Sequence, residues 1–183
     1  MTILECRELT KTYDKGETPA VNKLTLSIDE GTIFGFLGPN GAGKTTTIKM
    51  MTGLIQASEG EVFVGGSPVT LNRLESKSEL GYLSQEPRYY PWMTGRELLT
   101  FVAGLYGMDR TAAAARAVEL LRLSGLVEAA DKKIGAYSGG MVQRIGIAQA
   151  LVNNPKILFL DEPVSDLDPI GRKEVLDFIA ALR

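Results

Sequence analysis

The sequence contains no histidine, one cysteine and no long apolar run. A disulfide framework, a zinc site built on cysteine and histidine, and a histidine-based triad are therefore excluded. No stretch approaches the roughly 18 consecutive apolar residues of a membrane-spanning helix. The N-terminus lacks the basic and then apolar segments of a signal peptide. We expect a soluble, cytosolic chain with no membrane span of its own, in which catalysis rests on carboxylates, lysine, hydroxyls and bound metal.

The charge is nearly balanced, with 20 basic against 22 acidic residues. No basic run of the kind that follows a nucleic-acid backbone is present, which disfavours direct nucleic-acid binding. The 183 residues, 44% of them hydrophobic, suffice for one substantial core with a small subdomain.

A phosphate-binding loop is the most informative feature that is present. The run GPNGAGKT, from Gly38 to Thr45, fills the Gly-x-x-x-x-Gly-Lys-Ser/Thr template. The apolar residues 32–37 before it predict a short buried strand, and residues 45–54 after it predict a helix. The alternative, a glycine-rich turn that only links strand to helix, does not account for the full spacing. We therefore predict nucleoside triphosphate binding with magnesium.

Residues of this loop have distinct predicted roles. Lys44 can reach the β and γ phosphates, Thr45 can place its hydroxyl on Mg²⁺, and Thr46 can add a donor to the phosphates. Backbone N–H groups of a loop with little side-chain bulk can turn inward on one anion. The remaining nucleotide-binding residues are then Gly38, Pro39, Asn40, Gly41, Ala42 and Gly43.

Strand patterns dominate the N-terminal half, and helical patterns follow. Alternation of apolar and polar residues predicts a strand over 23–29, and short apolar segments predict strands near 61–66 and 80–84. From about residue 86 the character changes. Thr94 and Glu97 form a capping box before apolar residues at helical spacing, which are Leu98, Phe101, Val102 and Leu105. An alanine-rich run from Thr111 predicts a second helix, ending near Gly125.

A second motif lies at the end of another apolar strand. Residues 157–160 predict a buried strand whose carboxyl end carries Asp161 and Glu162. Asp161 can hold magnesium through water, and Glu162 can orient and deprotonate an attacking water. The alternative is a strand that simply ends in solvated acids, and co-occurrence with the phosphate loop favours catalysis.

With these motifs in place, the sequence resembles the nucleotide-binding subunit of an ATP-binding cassette (ABC) transporter over essentially its full length. The diagnostic element is YSGGM, Tyr137 to Met141, which begins a predicted helix. The resemblance implies an α/β P-loop NTPase fold with a mostly parallel central sheet, an N-terminal antiparallel β subdomain and a helical ABC-specific subdomain. It places the nucleotide-binding core at 1–87 and 136–183, and the helical subdomain at 88–135.

The resemblance also assigns roles to single residues. Ser138, Gly139 and Gly140 would face the γ phosphate of ATP bound to the opposite subunit, and Tyr13 would stack on adenine. Gln85 would sense the γ phosphate and the metal. The implied catalytic set is Glu162, Lys44 and Gln85, and the implied magnesium set is Thr45, Gln85 and Asp161. The loop from Ser165 to Asp168 would exchange contacts across the dimer.

Three departures from the family pattern stand out. Met141 replaces the more usual glutamine of the signature, and Asp166 replaces a small residue in the dimer-crossing loop. The switch histidine is absent, because its region would lie beyond Arg183. We therefore expect a C-terminally truncated cassette whose last helix, residues 169–183, has no C-terminal cap.

The resemblance implies an ATPase that dimerises around two Mg-ATP molecules, with an identical or paralogous cassette, and drives a transmembrane permease. The residues of the motifs are most similar to those of exporter-type (ABC-2, multidrug-like) cassettes. The resemblance places the permease contact near residues 85–92. A soluble ABC ATPase acting on DNA or ribosomes is the alternative, although no heptads separate Lys44 from Asp161. Intact Lys44, Asp161 and Glu162 argue against a non-catalytic binding module.

Overall fold

The computed structural model describes residues 1–13, 18–71 and 77–182. These form two compact units, Met1–Leu80 and Gly81–Leu182, each described by itself below. Among the described residues, no helix is both long and apolar enough to cross a bilayer.

The first unit contains a four-stranded antiparallel sheet in the order β2-β1-β3-β4. Its strands are β1 (Thr2–Lys11), β2 (Val21–Asp29), β3 (Glu59–Val64) and β4 (Ser67–Pro68). Cys6 lies fully buried in the central strand, opposite Leu26 on one side and Val62 on the other. The predicted alternation in β2 is confirmed, since its leucines and Ile28 are half-buried and the polar residues between them are exposed.

One close backbone approach shapes this sheet. Gly60 in β3 has φ +81°, and a Cβ there would collide with the carbonyl oxygens of Arg7 and Glu8. The register between β1 and β3 shifts at this point. Glycine is therefore required where the two strands change register.

Helix α1 (Lys44–Met51) follows the phosphate loop and buries Thr47, Ile48, Met50 and Met51. The predicted helix is thus confirmed.

The strand predicted over residues 32–37 is wrong, because this segment has no regular secondary structure and most of it is exposed. Leu37 is 97% exposed, and Phe34 instead makes an edge-on ring contact with Phe36. Apolar composition alone does not make a strand, and neither sheet of the described chain includes this segment.

The second unit combines a two-stranded sheet with four α-helices and two short 3₁₀ helices in its described part. The strands are β5 (Leu80–Leu83) and β6 (Ile157–Leu160), and the helices are α2 (Gly95–Leu105), α3 (Arg110–Leu123), α4 (Gly139–Ala150) and α5 (Pro169–Ala181). The backbone N–H of Asp161 donates to the carbonyl of Leu83 at 3.0 Å. The carboxyl ends of β5 and β6 therefore lie together, as in a parallel pair.

Two apolar clusters stabilise the second unit. The larger one joins α2, α3 and α4, and its members include Leu98, Leu99, Ala103, Ala113, Ala117, Leu120, Leu121, Ile145, Ala148 and Val152. The smaller one contains Leu83, Ile147, Val175 and Phe178. The helices were predicted correctly, but Phe101 and Leu105 of the predicted apolar stripe are exposed. α4 lies outside the predicted helical subdomain, residues 88–135, yet it contributes to the larger cluster. The boundary of that subdomain therefore stays a prediction.

Candidate functional site

The phosphate loop approaches α1 through left-handed glycines. Gly41 and Gly43 both have φ +83°, and Gly43 is the N-cap residue of α1. A Cβ on Gly43 would collide with the backbone carbonyl of Ala20 and crowd Val21. This position therefore tolerates only glycine, whereas a Cβ on Gly41 would meet no atom within 4 Å.

Lys44 places its charge across the same loop. Its Nζ donates to the carbonyl oxygens of Gly38 at 2.9 Å and Pro39 at 3.1 Å. Thr45 and Thr46 occupy the first turn of α1. An ammonium group, a helix N-terminus and left-handed glycines together make a site that fits a polyphosphate.

Tyr13 lies next to this loop in the first unit. Its hydroxyl is 3.4 Å from the hydroxyl of Thr46, and its ring is half-exposed. The Nζ of Lys11 lies 5.3 Å from the ring centroid and also donates to the carbonyl of Gln56 at 2.8 Å. A cation on one ring face orients the side chain through the ring quadrupole. The arrangement is compatible with a base stacked on Tyr13.

In the second unit, the sheet brings Gln85 and Glu162 together. The Gln85 Nε2 donates to the Glu162 Oε2 at 3.1 Å, although 77 positions separate the two residues in the sequence. Both follow the carboxyl ends of the β5–β6 pair. Asp161 is buried beside them. The pKa of Tyr82 is raised, mainly by burial of its hydroxyl and further by the negative charge of Asp161. Two carboxylates and an amide thus converge where a parallel sheet ends.

Glu162 has an unusual backbone conformation that the sequence analysis did not anticipate. Its φ is +49°, in the left-handed region that non-glycine residues rarely adopt. The Glu162 carbonyl accepts from the backbone N–H of Ser165 at 3.1 Å and from its hydroxyl at 2.8 Å. The only sequence signal was Pro163, because proline disfavours a right-handed helical conformation in the residue before it. These two hydrogen bonds from Ser165 stabilise the turn in which the Glu162 backbone is left-handed.

The signature segment begins α4 as predicted. Ser138 is the N-cap residue, and its hydroxyl accepts from the Met141 N–H at 3.3 Å. Gly139 and Gly140 form the first turn. Tyr137 has a packing role, since its hydroxyl donates to the Ala129 carbonyl at 2.7 Å.

The first turn of α4 packs against the start of α5. A Cβ on Gly140 would lie 3.3 Å from the Cα of Gly171. Asp168 is the N-cap residue of α5 and accepts from the Gly171 N–H at 2.7 Å. Asp168, predicted in the dimer-crossing loop, thus also ends that loop by capping a helix.

The oxygen donors among the candidate site residues suit magnesium. Among the described ranges, no cluster of three or more histidine, cysteine or acidic residues is present. Mg²⁺ commonly uses only one or two carboxylates and completes its shell with substrate phosphates and water. In the second unit, the Asp161 carboxylate and the Gln85 amide oxygen are hard donors of that kind, and their chemistry suits Mg²⁺. In the first unit, the Thr45 hydroxyl is another oxygen donor of the same kind.

Comparisons with known proteins agree with this chemistry. The family profile described as ABC transporter matches residues 21–165. The uncharacterized ABC transporter ATP-binding protein YxlF of Bacillus subtilis (strain 168) is 45% identical over 181 residues, covering 99% of this chain and 59% of its own length. The bacitracin transport ATP-binding protein BcrA of Bacillus licheniformis is 40% identical over 181 residues, covering 99% and 58%. The chain thus spans less than two thirds of these relatives.

A solved structure supports the fold. A dimeric ATP-binding cassette in a post-hydrolysis state, bound to ADP and Pi, is 28% identical and has a TM-score of 0.85. The match covers 98% of this chain and 82% of that one. The predicted α/β P-loop NTPase fold is confirmed by this likeness. On sequence and structure alike, this chain belongs to the ABC transporter family.

Proposed function

We propose that this chain binds and hydrolyses ATP, with Mg²⁺ as cofactor, to power an ABC exporter. The observation that carries the proposal is the Gln85 amide donating to the Glu162 carboxylate at the carboxyl ends of β5 and β6. In this proposal Glu162 is the base for the attacking water, and Gln85 is the group that fixes the direction of the Glu162 carboxylate. A purely nucleotide-binding protein would not need this pair.

ATP binding is assigned to the first unit. The loop amides from Gly38 to Gly43, together with Thr46, would hold the phosphates, and Tyr13 would stack on the adenine. Lys44 would exchange its carbonyl contacts for the β and γ phosphates, whose negative charge attracts the ammonium more strongly. The left-handed Gly43 supports this assignment because it keeps side-chain bulk out of the turn.

Hydrolysis is assigned to Glu162, assisted by Gln85 and Lys44. Bound magnesium supplies charge neutralisation on the phosphates, and Thr45, Asp161 and Gln85 would hold it. Glu162 takes the proton of the attacking water, while Gln85 fixes the direction of the carboxylate. General-base catalysis by a positioned side chain contributes about 10² to 10⁴ in rate.

A second cassette, identical or paralogous, would complete each site. Ser138, Gly139 and Gly140 would present the N-terminus of α4 to the γ phosphate of the nucleotide on the other cassette. The capped start of α4 supports this role, because the N-terminus of a helix stabilises anions. The loop from Ser165 to Asp168 would cross the same interface.

A transmembrane permease would bind the loop between β5 and α2, residues 85–92. Two aromatic side chains in this loop are exposed, Tyr90 at 52% and Trp92 at 65%, with ring centroids 5.1 Å apart. Exposed tryptophan and tyrosine are typical anchors of protein interfaces. The chain would then be cytoplasmic and peripheral on the inner face of the membrane, held there by the permease. The similarity to BcrA, named for bacitracin transport, favours export of a drug-like, lipid or polysaccharide compound.

Sedimentation velocity of Glu162→Gln with and without Mg-ATP tests the proposal. The substitution keeps the shape of the side chain and removes the base, so we expect stable ATP-dependent dimers. Turnover should fall by about 10² to 10⁴ while ATP binding persists. Glu162→Gln combined with Lys44→Ala is the matched control, which should remain monomeric because the phosphates lose their cation.

Two results would contradict the proposal. Monomers of Glu162→Gln at saturating Mg-ATP would exclude the composite site in this chain. A parallel loss of binding and turnover in Glu162→Gln would exclude Glu162 as a base.

A further inference from the structure

Arg144 in α4 joins three helices of the second unit. Its Nη1 donates to the carbonyl of Ser124, the C-cap residue of α3, at 3.2 Å. Its Nη2 lies 3.2 Å from the Glu174 Oε2 on α5. The Arg144 side chain is only 16% exposed, whereas that of Glu174 is 48% exposed. The guanidinium is thus held in the packed unit, and the carboxylate is partly accessible to solvent.

The same Glu174 oxygen also lies beside the signature segment. The Oε2 is 3.7 Å from the point where a Cβ on Gly140 would be. Gly140 is in the first turn of α4, so a carboxylate sits next to a helix end that favours negative charge. Without a cation, this carboxylate would compete with a phosphate for that helix end and repel it.

We propose that Arg144 is a positioning residue that keeps the Glu174 carboxylate paired, so that the N-terminus of α4 remains available to the phosphate of a nucleotide on the second cassette. This inference rests on the proposed function, because it assumes that α4 accepts that phosphate. The arginine contributes through charge, by neutralising Glu174, and through direction, because the Ser124 carbonyl fixes the guanidinium. A lysine could supply the charge but could not make both contacts in the same fork geometry.

A purely structural role for Arg144 makes a different prediction. If the arginine only ties α3 to α5, its loss is harmful whatever residue occupies position 174. If it neutralises Glu174, removing the carboxylate removes the need for the arginine. A double-substitution cycle on Arg144 and Glu174 therefore separates the two roles.

The experiment titrates Mg-ATP against dimer formation in sedimentation velocity, using the full chain in the Glu162→Gln background. We expect Arg144→Met to raise the ATP concentration at half-maximal dimer by about tenfold, since like charges are brought together at an interface. Adding Glu174→Gln should restore most of this loss. At about 1 M salt, where the screening length falls to about 3 Å, the defect of Arg144→Met should shrink. ATP binding to the monomer should not change.

Glu174→Gln alone keeps the proposal falsifiable if Arg144→Met unfolds. It should dimerise at the same or a lower ATP concentration, and a clear increase would overturn the inference. A double variant as defective as Arg144→Met, or no defect in Arg144→Met, would overturn it as well. If the Glu162→Gln parent itself forms no ATP-dependent dimer, the proposed function fails and this inference fails with it. A dimerising parent without rescue leaves the proposed function intact.

Discussion

Ser165 donates two hydrogen bonds to the carbonyl of Glu162, one from its backbone N–H and one from its hydroxyl. A non-glycine residue in the left-handed region costs about 1 to 2 kcal/mol. Such a conformation persists only where neighbouring contacts over-determine it, and it is common at functional sites. We interpret the turn from Glu162 to Ser165 as the structure that fixes the direction of the proposed base.

Ser165→Ala tests this interpretation at the residue scale. It removes the hydroxyl donor and leaves the backbone bond, a loss of about 0.5 to 1.5 kcal/mol. We expect ATP turnover to fall by about 2- to 10-fold with little change in ATP affinity, measured as kcat and KM in a coupled ATPase assay. Ser165→Thr, which retains a hydroxyl, is the control and should stay close to the parent. A kcat for Ser165→Ala equal to that of the parent would show that the backbone bond suffices.

At the candidate site, the sequence indicates residue types and spacing but not side-chain or backbone conformations. The motifs marked Lys44 and Glu162 because residue type and spacing are local properties of the chain. They could not indicate that Lys44 Nζ contacts two loop carbonyls, nor that Glu162 is left-handed. The Gln85–Glu162 contact depends on strand pairing between distant segments, which no local pattern specifies.

At the scale of elements, helix starts were the most predictable features because their signals are short. The Thr94 hydroxyl accepts from the Glu97 N–H at 3.1 Å, and the Glu97 carboxylate accepts from the Thr94 N–H at 2.8 Å. Both bonds of the predicted capping box are therefore present. The box fixes where α2 begins, just after the loop assigned to the permease.

Thr94→Ala should lower the free energy of unfolding of the second unit by about 1 kcal/mol, because the N–H of Glu97 loses its acceptor. Urea unfolding followed by far-ultraviolet circular dichroism measures the change. Thr94→Ser keeps the hydroxyl and should behave like the parent chain. An unchanged urea midpoint in Thr94→Ala would mean that water replaces the cap without loss.

Strands were less predictable than helices, and residues 32–37 give the reason. A helix satisfies its backbone groups within itself, whereas a strand needs a neighbour. The apolar side chains of Ile33 and Leu37 indicated a tendency to be buried. They did not indicate which strand would pair with this segment. Both side chains are exposed in the structure. The apolar composition thus predicted a buried strand where no strand pairing occurs among the described residues.

For the whole molecule, the decisive question is how the chain would engage a membrane subunit. Trp92→Ala removes the most exposed aromatic of the loop from residue 85 to 92. We expect binding to a co-expressed permease to weaken by about tenfold or more, because tryptophan is enriched among residues that dominate interface energy. Co-purification from detergent and the ATP affinity of the isolated chain are the two readouts, and only the first should change.

The control for this variant is Tyr106→Ala. Tyr106 is also an exposed aromatic of the second unit, but it follows α2 and lies outside the proposed contact loop. It should leave co-purification unaltered. Equal weakening by both substitutions would point to general loss of apolar surface and not to a contact at Trp92.

The single cysteine and the single tryptophan fall in different units, which gives the native chain two built-in reporters. Burial raises the pKa of the Cys6 thiol to about 12, so the reactive thiolate is scarce while β1 is folded. Alkylating reagents therefore react with Cys6 only when β1 becomes exposed. The rate of Cys6 labelling therefore measures opening of the four-stranded sheet, and ATP bound to the first unit should slow it by mass action. Trp92 emission instead follows the loop assigned to the permease. Proposed nucleotide binding and permease docking can thus be followed separately in one chain without any substitution.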